Sequence, residues 1–469
     1  MVFRRNKKER SEITISDHKV PFNQKAYFGI SIAGATLAQS LIDFSLLTYY
    51  TDFILFPEVL FGIVYLLYGF WNALNDPLFG YYSDKKRPIE GKGKRLHWMW
   101  KSLPFLIGGF FLLYLVNPTW DEILIFFILL TGLFLFDTGL TIFMINRNSL
   151  LVSITDDDNE RSSIVIVSMI FQTLLGILSY LIPLYFLTKD TPIIAILLMF
   201  SGLGLTSSFF LIYGIKGLKE PLGIYKESDF LNLKHIIKET FKSRAFIIFI
   251  CYTFLMSGVA QTYLTFLFYY IDDVIQVSGL LATLAAAISL PAAFIAYLLV
   301  RLTSKQIGVY QTLIIFLCIT LLGFLSLLII KNYWLMVMSY VFIIVGTNAH
   351  WILIMPLIGN IADEYELRTN SRNEGILFGI NAICVALSKS ILIFFFTLFL
   401  NNFGYDGSKP IQSQNAILGI RLGAALVPLI FVAISIILMY FYPLKGEILK
   451  NLKKEIKILY DNKFNNSNE

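Results

Sequence analysis

Residues 71–84 read Trp71-Asn72-Ala73-Leu74-Asn75-Asp76-Pro77-Leu78-Phe79-Gly80-Tyr81-Tyr82-Ser83-Asp84. The Asn-Asp-Pro step interrupts a mostly apolar run over 57–82. The charges Asp84-Lys85-Lys86-Arg87 end that run and mark a water boundary. Asp76 precedes Asp84 by eight residues, which at about 1.5 Å per residue buries it about 12 Å inside. Tyr65, Tyr68, Asn72 and Asp76 fall on one narrow helical arc. Such a polar stripe faces protein or water rather than lipid. A carboxylate at bilayer depth costs about 2.5–3.5 kcal/mol, so Asp76 needs a reason. Either it holds a cation or proton, or it makes a structural hydrogen bond beside a Pro77 kink.

The rest of the chain places this run in a membrane. Of 469 residues only 15% are charged, against roughly 25% in an average globular protein, and 42 are Phe. Runs of about 18 or more apolar residues read as spanning helices. Twelve are expected, over 26–50, 57–82, 102–117, 122–147, 163–187, 192–215, 244–270, 277–300, 309–330, 333–357, 375–400 and 412–443. This excludes a soluble enzyme, a nucleic-acid binder and a secreted disulfide scaffold. Cys251, Cys318 and Cys384 lie in apolar runs and are expected to pack in the core without a disulfide. The basic start, MVFRRNKKER, does not read as a cleavable signal peptide.

Lys and Arg fix the orientation. Seven precede the first span, seven lie from Lys85 to Lys101, seven from Lys216 to Arg244, and six follow the last span. The opposite loops carry Lys189, Lys331 and Lys409. Both termini are therefore expected in the cytoplasm, with the chain multi-pass in the plasma membrane. The expected layout is an N-terminal segment (1–25), a six-helix bundle (26–215), a cytoplasmic linker (216–243), a second bundle (244–443) and a basic tail (444–469). In the tail, Ile448, Leu449, Leu452 and Ile456 share a helical face among lysines. It is either a surface helix on an anionic leaflet or a solvated charged segment.

The halves look like diverged copies. Ile154-Thr155-Asp156-Asp157 after span four matches Ile361-Ala362-Asp363-Glu364 after span ten. Asp84-Lys85-Lys86-Arg87 corresponds to the Arg301–Lys305 segment with Gly308. A six-plus-six repeat implies a midplane site between the halves and alternating access by rocking.

Three stretches carry a resemblance. They are Tyr49-Tyr50-Thr51-Asp52 with the Asn-Asp-Pro segment through Asp84, Asp156–Arg161, and Ala362-Asp363-Glu364-Tyr365-Glu366-Leu367-Arg368-Thr369 through Arg372 to Glu374-Gly375. Together they resemble the glycoside–pentoside–hexuronide:cation symporters, the melibiose permease family of the major facilitator superfamily. The resemblance implies an all-α membrane fold of twelve helices in two pseudo-symmetric halves. The family's sugar-binding charges fall on Thr36, near Met144, near Met169 and on Ala386, so none is kept in place, although Lys389 lies one turn beyond Ala386. Its cation site falls on Asn72, Asp76 and Thr141, with Asn75 beside them. One of its two carboxylates is thus an amide here.

Further intramembrane charges are Asp43, Asp137, Lys389, Arg421 and, near a span end, Arg147. Asp137 precedes Thr141 by one turn, as Asn72 precedes Asp76. If Thr141 faces Asp76, then Asp137 faces Asn72 and replaces the missing carboxylate. A buried ion pair is the other reading, though Arg147 is about 15 Å away along the helix. Thr36, Gln39 and Asp43 share a face of span one, and Thr253, Ser257, Gln261 and Thr265 recur every four residues on span seven. These stripes either line a wet cavity or make interhelical hydrogen bonds. The substrate candidates are Thr36, Gln39, Asp43, Tyr68, Ser257, Gln261 and Lys389. Asp84, Lys85, Arg87, Glu160, Arg161, Arg368 and Glu374 are candidates for an inner gate. Arg421 reads as a snorkelling or ion-paired residue, His350 as a satisfied packing residue, and Gly202 and Gly204 as close-packing positions.

The expectation is a secondary active transporter. It would couple Na+ or H+ to symport of a sugar-like or glycoside-like solute, as a monomer in the bilayer, with no nucleic acid and no cofactor beyond the coupling ion. A cation-coupled symporter of a lysophospholipid or other amphipathic anion is one alternative. A non-transporting membrane ligand sensor is another. No Walker loop, His-x-x-x-His pair or nucleophile elbow points to an enzyme.

Overall fold

The computed structural model describes residues 20–85, 95–155, 158–188, 190–220, 238–369 and 374–466. Among these the regular structure is helical. The first half comprises α1 (Phe22–Phe53), α2 (Glu58–Lys85), α3 (Arg95–Tyr114), α4 (Glu122–Ile154), α5 (Asp158–Phe186) and α6 (Ile193–Gly217). The second comprises α7 (Arg244–Ile275), α8 (Leu280–Ile307), α9 (Val309–Leu327), α10 (Tyr333–Thr369), α11 (Glu374–Asn402) and α12 (Gln414–Tyr440). A thirteenth helix, α13 (Gly446–Asn466), follows. Eleven helices among the described residues are long and apolar enough to cross a membrane. The twelfth member of the bundle, α2, is as long but carries Asn72 and Asn75.

Helices suit this setting because they satisfy their own backbone where water cannot. Side-chain caps close several starts: Asp121 accepts from Ile123 N–H, Ser243 from Phe246 N–H and Ser413 from Ala416 N–H. Hydropathy marks only the apolar part of a helix, so α10 runs on to Thr369, well past the expected 357. α8 breaks into Leu280–Ala287 and Ser289–Ile307. Pro291 cannot donate to the carbonyl of residue 287, which accounts for that break.

A second repeat between the halves shows in three dimensions. Tyr49-Tyr50-Thr51-Asp52 closes α1, and Tyr269-Tyr270-Ile271-Asp272 closes α7. Both helices end in a π-helical turn, over Tyr49–Phe53 and Tyr270–Ile275. Each leaves through a left-handed residue, Leu55 (φ 56°) or Gln276 (φ 59°). The Tyr50 hydroxyl donates to Leu113 O at 2.9 Å at the end of α3, and Tyr270 donates to Leu327 O at the end of α9. The same motif thus clamps the same neighbour in each half.

The halves meet where α2 packs on α11, α5 on α8 and α1 on α7. Glycines bring α2 and α11 close. A Cβ at Gly62 would lie 2.2 Å from Thr397 Oγ1, and one at Gly69 2.5 Å from Ser390. Thr397 is fully buried and its hydroxyl donates to Phe394 O at 2.8 Å, so it cannot swing aside freely. Gly62→Val is expected to destabilise the protein by about 1–3 kcal/mol in thermal unfolding. An unchanged midpoint would show that the seam can open at no cost.

Several expectations need correction. Cys251 and Cys318 are exposed on the bundle and Cys384 is half-buried, so they are not core residues. No Cβ contact within 4 Å surrounds Gly202, whereas Gly204 abuts Phe110 at 2.5 Å. On α13, Leu452 and Ile456 are buried against the body and Lys453 pairs with Asp363 at 2.6 Å, while Ile448 points outward.

Candidate functional site

Two polar clusters lie inside the bundle. The first joins the halves. Lys389 of α11 forms an ion pair with Asp43 of α1, whose Oδ1 also accepts from Gln39 Nε2 at 2.6 Å. The Tyr65 ring centroid lies 5.8 Å from the ammonium. Thr265 of α7 donates to the backbone carbonyl of Asp43 at 2.6 Å. The Lys389 side chain is 7% exposed and that of Asp43 33%. α1 packs against α5 and α6 of its own half and α7 of the other, so Asp43 lies on a helix that contacts both halves. Gln39 Oε1 is buried with no hydrogen-bond partner among the described residues and adds an acceptor. Sequence reading names Asp43, Gln39 and Lys389 separately; folding brings them together.

The second cluster lies between α2 and α4. Asn75 Nδ2 donates to Asp137 Oδ2 at 2.8 Å and to Thr141 Oγ1 at 3.1 Å. The Tyr68 hydroxyl donates to Asp137 Oδ1 at 3.4 Å, and Asn72 Nδ2 donates to that hydroxyl at 3.3 Å. The expected Asn72–Asp137 contact is therefore indirect. Asn75, three residues on and about 60° around the helix, takes the place. Asn75 is fully buried, and among the described residues its Oδ1 has no hydrogen-bond partner. The amide NH2 faces Asp137 and Thr141 here; a half-turn of the amide would bring Oδ1 to the carboxylate and hydroxyl, oxygens of the kind a hard cation takes. The side chain of Asp76 lies outside the described residues. Arg147 is not paired with Asp137. It donates to Phe28 O at 3.3 Å and Ser168 Oγ at 3.1 Å and stacks on the Phe28 ring.

The remaining substrate candidates are committed elsewhere. Ser257 is fully buried and shares a hydrogen bond with His350 Nε2 at 3.1 Å. Tyr68 serves the second cluster. Thr36 donates to Gln172 at 3.4 Å, and Gln261 donates to the carbonyls of Ser257 and Val385. The α7 stripe therefore works mainly by interhelical hydrogen bonds. His350 is fully buried, and its Nδ1 meets the Tyr252 hydroxyl at 2.7 Å. Both ring nitrogens are satisfied, as a packing histidine requires. His350→Leu orphans both hydroxyls and is expected to cost about 2–6 kcal/mol of stability, at about 1–3 per group. The pH dependence of transport should not move; a displaced pH profile would make His350 a proton carrier.

At the end near Val20 and α13, the contacts of the gate candidates with described residues fall within their own half. Glu160 holds Lys25 and the Val20 N–H, each at 2.9 Å. Arg161 donates to Thr155 O at 2.9 Å, and Arg368 to Glu239 O at 2.6 Å. Arg87 and the side chains of Asp84, Lys85 and Glu374 lie outside the described residues. Arg421 forms no ion pair among the described residues; it donates to Leu328 O and Ile330 O beyond the end of α9.

The opposite end is sealed by contacts across the halves. Thr51 Oγ1 meets the Tyr269 hydroxyl at 2.8 Å, and Phe44 packs on Phe268 at 4.3 Å between ring centroids. Tyr405 donates to Asp52 Oδ1 at 2.9 Å and lies 3.3 Å from Asp273 Oδ2. Thr51 is eight residues, about 12 Å, beyond Asp43. Asp406, in the loop carrying Tyr405, has its carboxyl held down to about 2, chiefly by the Ser408 hydroxyl and then by Lys409. It stays ionised at any physiological pH.

Comparison with known proteins agrees with this architecture. An uncharacterized symporter, YnaJ, of Bacillus subtilis (strain 168) is 23% identical over 455 residues, 94% of this chain and 95% of its own. The isoprimeverose transporter of Lactiplantibacillus pentosus is 22% identical over 460 residues, 91% and 90% of the chains. The sodium-dependent lysophosphatidylcholine symporter 1 of Xenopus tropicalis is 20% identical over 488 residues, 94% and 91%. A bacterial homolog of the human lysosomal transporter Spinster shares the fold, with a TM-score of 0.64 at 12% identity over 91% of this chain and 98% of that one. Residues 27–446 match the family described as MFS/sugar transport protein. The chain belongs to that family, as a multi-pass membrane transporter of the symporter type and not an enzyme.

Proposed function

We propose that this protein couples entry of Na+ or H+ to symport of a sugar-like polar solute across the plasma membrane by alternating access, with both termini cytoplasmic. The two bundles, 26–215 and 244–443, would rock about the space around Asp43 and Lys389. The observation that carries the reading is the Asp43–Lys389 pair, an ion pair linking the halves with one member a third exposed. Asp43, Gln39 and Lys389 offer a solute hydroxyl both acceptors and a donor. Asp137, Thr141 and Asn75 Oδ1 would hold the cation, a set of oxygens that suits Na+. For H+, Asp137 is the carboxylate among the described side chains of the cluster that would carry the charge.

Sugar transport by the isoprimeverose relative supports a glycoside. The lysophosphatidylcholine relative supports the second reading, in which Lys389 receives a lipid's anionic group. The packed α2–α11 and α5–α8 seams favour a solute that enters from water.

The test is a thermal-shift screen of purified protein with glycosides, uronates and lysophosphatidylcholine, each in sodium and in choline buffer. A ligand that prefers the folded state raises its midpoint by mass action. A sugar shift that grows in sodium is expected. A shift with lysophosphatidylcholine and none with any sugar would replace this reading with the second.

A further inference from the structure

On the outside of the second half, α9 and α12 leave a groove of about 310 Å³ lined by Tyr310, Gln311, Ile314, Ile315, Ile436 and Tyr440. It opens away from the central clusters: Ile315 is 44% exposed and Tyr440 69% on the bundle surface. Lys445, in the turn before α13, stands at its mouth. Its ammonium donates to Tyr310 Oη at 3.2 Å and to the Tyr440 carbonyl. It lies 4.8 Å from the Tyr310 ring centroid and 5.1 Å from that of Tyr440. An ammonium has three donors, so one remains. No carboxylate pairs with Lys445 among the described residues, whereas its neighbours Lys450 and Lys453 pair with Glu447 and Asp363.

An apolar groove facing the acyl chains, topped by a held cation and two tyrosines at a helix end, matches one kind of molecule. The tyrosines suit the level of the headgroups. The unpaired ammonium suits a phosphodiester there, and exposed Lys454 and Lys457 on α13 add positive charge at the same end. We propose that this groove binds an anionic phospholipid, its phosphate on Lys445 and an acyl chain along Ile314, Ile315 and Ile436. This would tie α13 to the bilayer next to the α9–α12 seam.

The test uses the full chain in detergent after delipidation, titrated with phosphatidylglycerol or phosphatidylcholine and read by native mass spectrometry. Phosphatidylglycerol is expected to bind more tightly than phosphatidylcholine. Lys445→Gln should weaken phosphatidylglycerol about fivefold, the weight of one lysine at a membrane surface, and phosphatidylcholine, whose phosphate is offset by its own choline, by clearly less. Lys445→Arg should keep the preference. Ile315→Trp, at an exposed position, should fill the groove and weaken both lipids; it carries the test if Lys445→Gln fails to fold. Equal binding of the two lipids to the wild type, wild-type affinity in Lys445→Gln, or full displacement by glycerol phosphate, which has no acyl chain, would overturn the proposal.

Discussion

Lys389→Met is expected to reduce uptake by roughly tenfold or more, about the 1.5–3 kcal/mol of a charged hydrogen bond to substrate. The companion change, Asp43→Asn, should remove uptake as fully but cost more stability. Breaking a buried pair costs about 3–5 kcal/mol because it strands the other charge. Asp43, one-third exposed, can recover hydration when Lys389 is lost; Lys389, at 7%, cannot when Asp43 is lost. Asp43→Asn should therefore have the lower unfolding midpoint. The double variant Asp43→Asn/Lys389→Met strands neither charge and should recover most of the stability with none of the transport. Paired measurements of midpoint and uptake check this. If the double variant is as unstable as the sum of its parts, the two side chains are not an energetic pair.

Asp137→Asn is expected to uncouple the carrier. Asp137 holds the only charge among the described side chains of the α2–α4 cluster, with Asn75 and Thr141 supplying neutral oxygens. Without it, a sodium or proton gradient should no longer raise the rate or the plateau of uptake, while exchange of substrate for substrate continues. Asn75→Leu removes one neutral oxygen and should raise the half-saturating sodium concentration without abolishing coupling. Gradient-driven accumulation that survives in Asp137→Asn would move the cation site elsewhere.

Much of this was legible because a membrane imposes strong rules. Apolar length gave the helices, and the rarity of intramembrane charge drew attention to Asp43, Asp137 and Lys389. Pairing was not legible: Asp43 and Lys389 lie 346 residues apart, and only packing brings α1 to α11. The choice of Asn75 over Asn72 depended on how α2 and α4 cross, which helical phase alone does not define. Cys251 and Cys318 were misplaced because lipid and core are equally apolar, so composition cannot separate outward from inward. Ser257 was read as a cavity residue because its partner, His350, lies 93 residues away on α10. The repeated Tyr-Tyr-x-Asp ends of α1 and α7 were visible in the sequence.

The most direct test of coupled sugar transport is uptake of the labelled glycoside that gives the largest thermal shift into proteoliposomes under an inward sodium gradient, an inward proton gradient, or neither. The account predicts accumulation above the equilibrium level under one of the two gradients and only equilibration without them, with the excess lost when an ionophore collapses the gradient. Uptake that reaches the same plateau in all three conditions would contradict it, as would exclusion of the sugar from vesicles that accumulate lysophosphatidylcholine.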